Sequence, residues 1–311
     1  MSRNSRPDGP FESREAPPVF ATDPDERAGS KHLREWAVEG RGPEQDRLGP
    51  AHETPREKTP PAERRKRYEF REQTYRLRSS EIRTLIELGK FRIVAARDLR
   101  RFAYHKEKNR MKPDIANLLR QKLILEKTVP HEETSPRRLL ALTKSGHRFL
   151  TETGLVPKDQ ALYYGFTKPR EALHDADLYR LYQKAAHKIE ECGGKNLRVV
   201  LDHELKKRLY RDLAKPDPET RSTDRKSRVA EQHGLQVVRG KIPLPDVRIE
   251  YETPEGEMAR VDLELATGHY RGSNVAEKVC AGFSIYADSQ DAAGLRRILD
   301  QRELTAEILS L

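Results

Sequence analysis

The sequence predicts an α+β chain with two folded parts behind a disordered tail, and three observations lead there. Half of the 20 prolines fall within residues 1–66, where large apolar residues stand alone. From Ser79 onward, three helical segments precede a strand–loop–strand pattern. From Leu173 onward, a long amphipathic helix precedes short apolar strands and a helical C-terminal stretch.

With 311 residues the chain is long enough for two domains. Lys and Arg number 60 against 50 Asp and Glu, giving a net charge of +10, and the isoelectric point is near 9.5. Such a balance favours polyanionic partners, above all nucleic acid. No segment approaches the roughly 18 consecutive apolar residues of a membrane span. The opening MSRNSRPDGPFESREAPP lacks the apolar core of a secretory signal. Two cysteines, Cys192 and Cys280, make neither a disulfide framework nor a zinc pattern, and both read as small core residues. A cytoplasmic protein with no membrane partner is the expectation.

Residues 1–66 cannot bury enough apolar surface to offset their chain entropy and read as a disordered, Pro-rich charged tail. Ala62 to Arg78 then interleaves dense basic charge with Tyr68, Phe70 and Tyr75. This segment reads as a basic arm on phosphates with rings that stack on bases, or as a linker or the first turns of a helix.

SSEIRTLIELGKF places Ile82, Leu85, Ile86 and Leu88 at helical spacing, with a Ser cap and Gly89 as stop. VAARDLRRFAY reads as a second short helix. A third starts at Pro113 and carries Ile115, Leu118 and Leu119 on one face. Strand-like LILEKTV, the polar HEETSPRR and strand-like LLALT follow, then the helix KSGHRFLTETG. Three helices followed by a two-stranded ribbon is the order of a winged helix-turn-helix, assigned to residues 67–153. Its third helix would enter the major groove of double-stranded DNA. The outward candidates there are Asn109, Arg110, Lys112, Asn117, Arg120 and Gln121, and the ribbon loop offers Arg137 and Arg138 to the phosphates.

Residues 154–171 read as a linker and 172–311 as an α/β domain. That domain opens on ALHDADLYRLYQKAAHKIEECGG, stopped by Gly193-Gly194. LRVVLD is a short strand, HELKKRLYRDL a surface helix or arm, and residues 214–228 a loop. Residues 242–267 form a hairpin turning at Pro254-Glu255-Gly256, SNVAEKVCAGFSIYA is a helix, and the last twenty residues are one or two short helices.

The hairpin carries the chemistry. Mg²⁺ takes carboxylate, carbonyl and water oxygens, and strand residues at i and i+2 share a face. Val261, Leu263 and Leu265 point into the core, which leaves Asp262 and Glu264 on the other side. Asp246, after Pro245, sits at the mouth of the preceding strand. Asp246, Asp262 and Glu264 are therefore the candidate Mg²⁺ ligands. This layout resembles the PD-(D/E)xK nuclease core, with Asp246 as its first acid and Glu264 as its second. The motif lysine is missing, since Ala266 stands where it belongs, and Lys278 on the next helix is the candidate replacement. The resemblance implies Asp246, Glu264 and Lys278 as catalytic residues of a restriction-endonuclease-like α/β domain.

Taken in order, His174, Glu204, Asp246, Glu264, Lys278 and Tyr286 resemble the replication-relaxation family of bacterial plasmids and mobile elements. There a winged helix (LTKSGHRFL here) precedes a nuclease-like domain opening on a His-bearing helix (LHDADLYRLY), followed by VVLDHEL, the Pro-Asp hairpin and EKVCAGFSIY. The resemblance spans about Ser79 to Ala287 and implies a role in replication, relaxation or transfer of mobile DNA. Two features depart from it. The acidic strand continues as ELATGH without a basic residue, and the segment after Tyr286 reads as helical where the family has an apolar strand. The expected function is a DNA-binding protein whose nuclease-like domain is degenerate. An active Mg²⁺-dependent endonuclease is the first alternative, and a winged-helix transcriptional regulator the second.

Overall fold

The computed structural model describes residues 64–130, 136–215, 222–266, 272–302, 304 and 308–311. The disordered tail expected for residues 1–66 lies outside them up to residue 63, and so does the loop tip at residues 131–135. Among the described residues the chain is mixed α+β with three sheets. No described helix is long and apolar enough to cross a membrane.

The basic, aromatic segment is neither arm, linker nor helix. It forms an antiparallel hairpin, β1 (Lys66–Phe70) and β2 (Gln73–Leu77). Tyr68, Phe70 and Tyr75 all turn to one side and meet Phe149 edge-on, with ring centroids 5.9, 5.9 and 5.4 Å away. An edge-to-face pair adds roughly 0.5–1.5 kcal/mol to the area it buries, so these rings pin the hairpin and are not free to stack on bases.

Helix α1 (Ser79–Phe91) begins where the Arg78 amide donates to Glu81, and it runs through Gly89. Gly89 is a contact point and not a stop. A Cβ there would lie 2.9 Å from Leu162, and its carbonyl accepts the Tyr163 amide. The short strand β3 (Ile93–Ala95) precedes α2 (Ala96–Phe102), and α3 (Lys108–Arg120) extends more than a turn ahead of Pro113. The proline sits inside α3 and removes one ladder bond without ending it. Strands β4 (Ile124–Val129) and β5 (Arg137–Leu142) complete a sheet of order β3-β5-β4, and α4 (Lys144–Thr153) closes this part, capped by Thr143.

Residues 154–168 are stitched down on both sides and do not behave as a linker. Gln160 is buried and exchanges two hydrogen bonds with the Val199 backbone, while Gly165 donates to the Leu142 carbonyl. Helix α5 (Pro169–Glu191) follows. Its fully buried Tyr179 packs between Phe91 and Phe102. One apolar core runs from α1 through α5 to the second large sheet, and all described residues belong to one compact unit. Burial of each large apolar side chain in such a core contributes roughly 1.5–3 kcal/mol.

The second sheet has the order β10-β9-β8-β7-β6, from β6 (Lys195–Leu201), β7 (Val247–Glu252), β8 (Met258–Ala266), β9 (Ser284–Ala287) and β10 (Ile308–Ser310). Strands β6, β7 and β8 are antiparallel, whereas β8, β9 and β10 run parallel. Helices α6 (Asp202–Ala214) and α7 (Ser222–Gln232) lie between β6 and β7. Helix α8 (Gly272–Cys280) links β8 to β9, and α9 (Ser289–Asp300) links β9 to β10.

Five expectations change here. The loop at 214–228 contains most of α7. The segment SNVAEKVCAGFSIYA is a helix only to Cys280, after which Gly282, at φ 82°, turns the chain into β9. The last residues add a strand as well as a helix, because Ile308 is buried beside Ile285. Cys192 and Cys280 are both exposed and are not core residues. The reading of β8 as half-solvated also fails, since Leu263 and Leu265 pack on one core while Ala266 packs on the other. Helices cover both faces, as parallel strands require.

Candidate active site and nucleic-acid interface

The inner strands β7 and β8 of the second sheet gather the candidate chemistry. The register Val247↔Leu263 places Asp246, one residue before β7, opposite Glu264 near the end of β8. The Asp246 amide points at Glu264 Oε2, 3.3 Å away, and the Leu265 amide donates to Asp246 Oδ2 at 2.9 Å. Each carboxylate is thus oriented by the other strand's backbone. Lys278 crosses from α8, and its Nζ lies 2.8 Å from Glu264 while also donating to the Leu244 carbonyl. His174 of α5 comes within 3.6 Å of Asp246 Oδ1. Four residues spread over more than a hundred positions of chain therefore meet where β7 begins and where β8 first pairs with β9.

Around this cluster lies a polar network with no sequence signature. Arg92, at φ 63° just after α1, reaches His203 at 3.1 Å and Asp175 at 3.7 Å. His203 in turn meets Asp202, whose amide donates to the Asp246 carbonyl. Burial pushes the Asp175 carboxyl above its ordinary range, with Arg92 opposing. Burial also acts on Asp202, but the hydrogen bonds from His203 outweigh it and hold that carboxyl low. For His174 burial works against the charged ring, yet hydrogen bonding to Asp246 raises its pKa.

Asp262 does not join the cluster. Its carboxylate is held by Arg248 through Nε at 2.6 Å and Nη2 at 2.8 Å, and Arg248 is itself buried and donates to the His233 carbonyl. The three-carboxylate metal site is therefore corrected to a pair. Among the described residues no group of three or more His, Cys, Asp or Glu could hold a metal. Mg²⁺ nevertheless often binds through one or two carboxylates completed by water and substrate phosphate, and Asp246 with Glu264 fits that habit. Glu204 is tied to Arg198, Arg208 and Tyr163, and Tyr286 is buried in the core.

The eight residues expected to touch DNA divide three ways. Asn117 is buried and donates to Glu81 and to the Arg76 carbonyl, because its face of α3 packs against α1 and β2. Arg137 belongs to β5 rather than a loop, and it is buried against Asp177 of α5 at 2.8 Å. Neither can read a base or reach a phosphate. Gln121 clamps the Arg76 backbone through both ends of its amide, and Arg138 is paired with Glu126 at 2.5 Å. Lys112 and Arg120 are exposed, as are Asn109 and Arg110. Lys112 lines a groove of about 230 Å³ together with Arg97, Arg100 and Lys108. The two arginines from α2 were missed in the sequence, where nothing marks which side of a seven-residue helix faces out.

Comparison of the chain with protein-family models, with curated proteins and with solved structures finds no match in any of the three.

Proposed function

We propose that this chain binds double-stranded DNA and cleaves it in a Mg²⁺-dependent reaction, acting in replication, relaxation or transfer of plasmid or mobile-element DNA. The assignment to mobile DNA rests on the motif resemblance alone. The order α1, β3, α2, α3, β4, β5 with sheet order β3-β5-β4 supports a winged helix-turn-helix, and its α3 would enter the major groove. The succession α5, β6, β7, β8, α8, β9, antiparallel then parallel, supports a restriction-endonuclease-like domain.

The observation that carries the reading is Lys278 at 2.8 Å from Glu264, opposite Asp246. The cation missing from the acidic strand is supplied from the next helix. Asp246 and Glu264 would hold a Mg²⁺ ion, which supplies Lewis acidity and a more acidic bound water. The protein's own contribution is orientation. Backbone amides fix both carboxylates, and the Leu244 carbonyl holds the Lys278 ammonium beside Glu264, from where it would offset negative charge on a phosphate. The competing reading, a binding protein with an inert second domain, draws on the near-complete burial of Glu264, which is 1% exposed.

Binding is tested by titrating salt against a labelled duplex in a fluorescence anisotropy assay. Arg100→Ala/Lys112→Ala removes two exposed cations that have no ion pair among the described residues. The variant is expected to bind about tenfold more weakly, with a log K against log salt slope shallower by roughly two. A parent-like slope in this variant contradicts docking through α2 and α3.

A further inference from the structure

We propose that the β1–β2 hairpin and the C-terminal end of α3 form a second phosphate-binding groove, in which Arg67, Arg76 and Arg120 grip the backbone of the duplex that α3 enters. The inference rests on the DNA-binding reading and extends it to a part of the chain outside the helix-turn-helix elements. The groove measures about 500 Å³ and is lined by Arg67, Thr74, Arg76, Asn117, Arg120 and Gln121. Every lining residue is polar and none is acidic.

Charge placement argues for an anion. Arg67 and Arg76 stand directly opposite each other across the hairpin. Like charges in that relation are destabilising, and a two-stranded ribbon has little stability to spare. Arg67 has a partner in the exposed Glu69, whereas Arg76 and Arg120 take part in no ion pair among the described residues. A phosphate between the guanidinium groups would offset the repulsion and accept paired hydrogen bonds.

The groove is also built in advance of any ligand. Asn117, buried beneath it, accepts from Arg120 Nη2 at 2.6 Å and is itself held by Glu81. Gln121 fixes the Arg76 backbone from both sides, and three rings pin the hairpin to Phe149. Its position suits a duplex. Lys112 and Arg120 are eight residues apart on α3, or about 12 Å of helix, which is close to the width of the major groove. The basic groove beside Lys112 and the hairpin groove beside Arg120 would thus meet phosphates on opposite rims.

The test is the same anisotropy titration on a duplex of about two helical turns, roughly 20 bp, with Arg67→Ala/Arg76→Ala beside the parent and Arg100→Ala/Lys112→Ala. Thermal melting checks that the two exposed substitutions leave the fold intact. The expected result is a slope shallower than the parent's by about two and a roughly tenfold loss of affinity. An unchanged slope in the hairpin variant, with a reduced one in the α2–α3 variant, overturns this proposal and leaves DNA binding standing. A parent that binds no duplex overturns the DNA-binding reading and the hairpin assignment with it. Inorganic phosphate binding that depends on Arg76, without any change in the duplex slope, would reassign the groove to free phosphate and likewise overturn the proposal.

Discussion

Glu81→Ala is expected to lower the free energy of unfolding by about 3–5 kcal/mol in urea denaturation, the range seen when one member of a buried ionic network is removed. Glu81 is wholly buried and serves four donors at once. Arg65 reaches it through Nε at 3.0 Å and Nη2 at 2.8 Å, Asn117 through Nδ2 at 2.9 Å, and Arg78 through its amide at 2.7 Å. Asp114, equally buried, takes Arg78, Ser80 and Tyr104 alongside. Alanine would take the acceptor from the Arg78 amide and the carboxylate from Arg65, and would leave Asn117 Nδ2 only the Arg76 carbonyl. Glu81→Gln keeps an acceptor oxygen for some of them and is expected to lose only about 1–3 kcal/mol. Equal losses in the two variants would show that the carboxylate's hydrogen bonds are not what holds this layer. The network matters beyond stability, because Asn117 and through it Arg120 are positioned by Glu81.

Lys278→Ala is expected to slow Mg²⁺-dependent nicking by about 10²- to 10³-fold, the usual effect of removing one preorganised charge from a phosphate-transfer or oxyanion site. Duplex affinity should stay near the parent's, since the residue lies in α8 and far along the chain from α2, α3 and the hairpin. The substitution also removes one ion-pair partner of the buried Glu264. A melting curve must therefore accompany the rate, and Lys278→Arg, which keeps a cation beside Glu264, separates charge from fold. If Lys278→Ala is folded and nicks as fast as the parent, the lysine has no chemical role.

Much of the scaffold was legible because it follows local rules. The three helices and the two ribbon strands between Ser79 and Leu142, the long helix ending at Gly193, and the hairpin turning at Gly256 all carry periodicity or turn signals that their surroundings do not override, whereas the three-residue β3 carries none. Errors cluster where tertiary packing decides. Strand alternation sets Glu264 and Ala266 opposite the core-facing Leu263 and Leu265, but helices cover both faces of the second sheet, so alternation there no longer separates inside from outside. Arg137 looked like a loop residue because two arginines follow a proline. Its burial depends on Asp177, forty positions later, which no spacing rule anticipates. The hairpin at residues 66–77 was hidden by its charge, since its aromatic residues find their partner only at Phe149.

The candidate site was half legible. Asp246 and Glu264 follow from strand spacing, and Lys278 follows from the resemblance to a nuclease core whose motif lysine this strand lacks. Asp262 was assigned to the site on the same alternation, but Arg248 claims it. Arg92, His203 and Asp175 had no signal at all. They meet because α1 ends in a left-handed residue beside α5 and α6, an outcome of packing between the two parts of the chain.

Incubation of supercoiled plasmid with the full chain and Mg²⁺, resolved on an agarose gel, tests the central claim most directly. The account predicts open-circular product from the parent, none when EDTA replaces Mg²⁺, and none from Asp246→Asn or Glu264→Gln under conditions where both variants still retard the plasmid. A parent that retards the plasmid yet leaves it supercoiled, or nicking that persists undiminished in both variants, would contradict it.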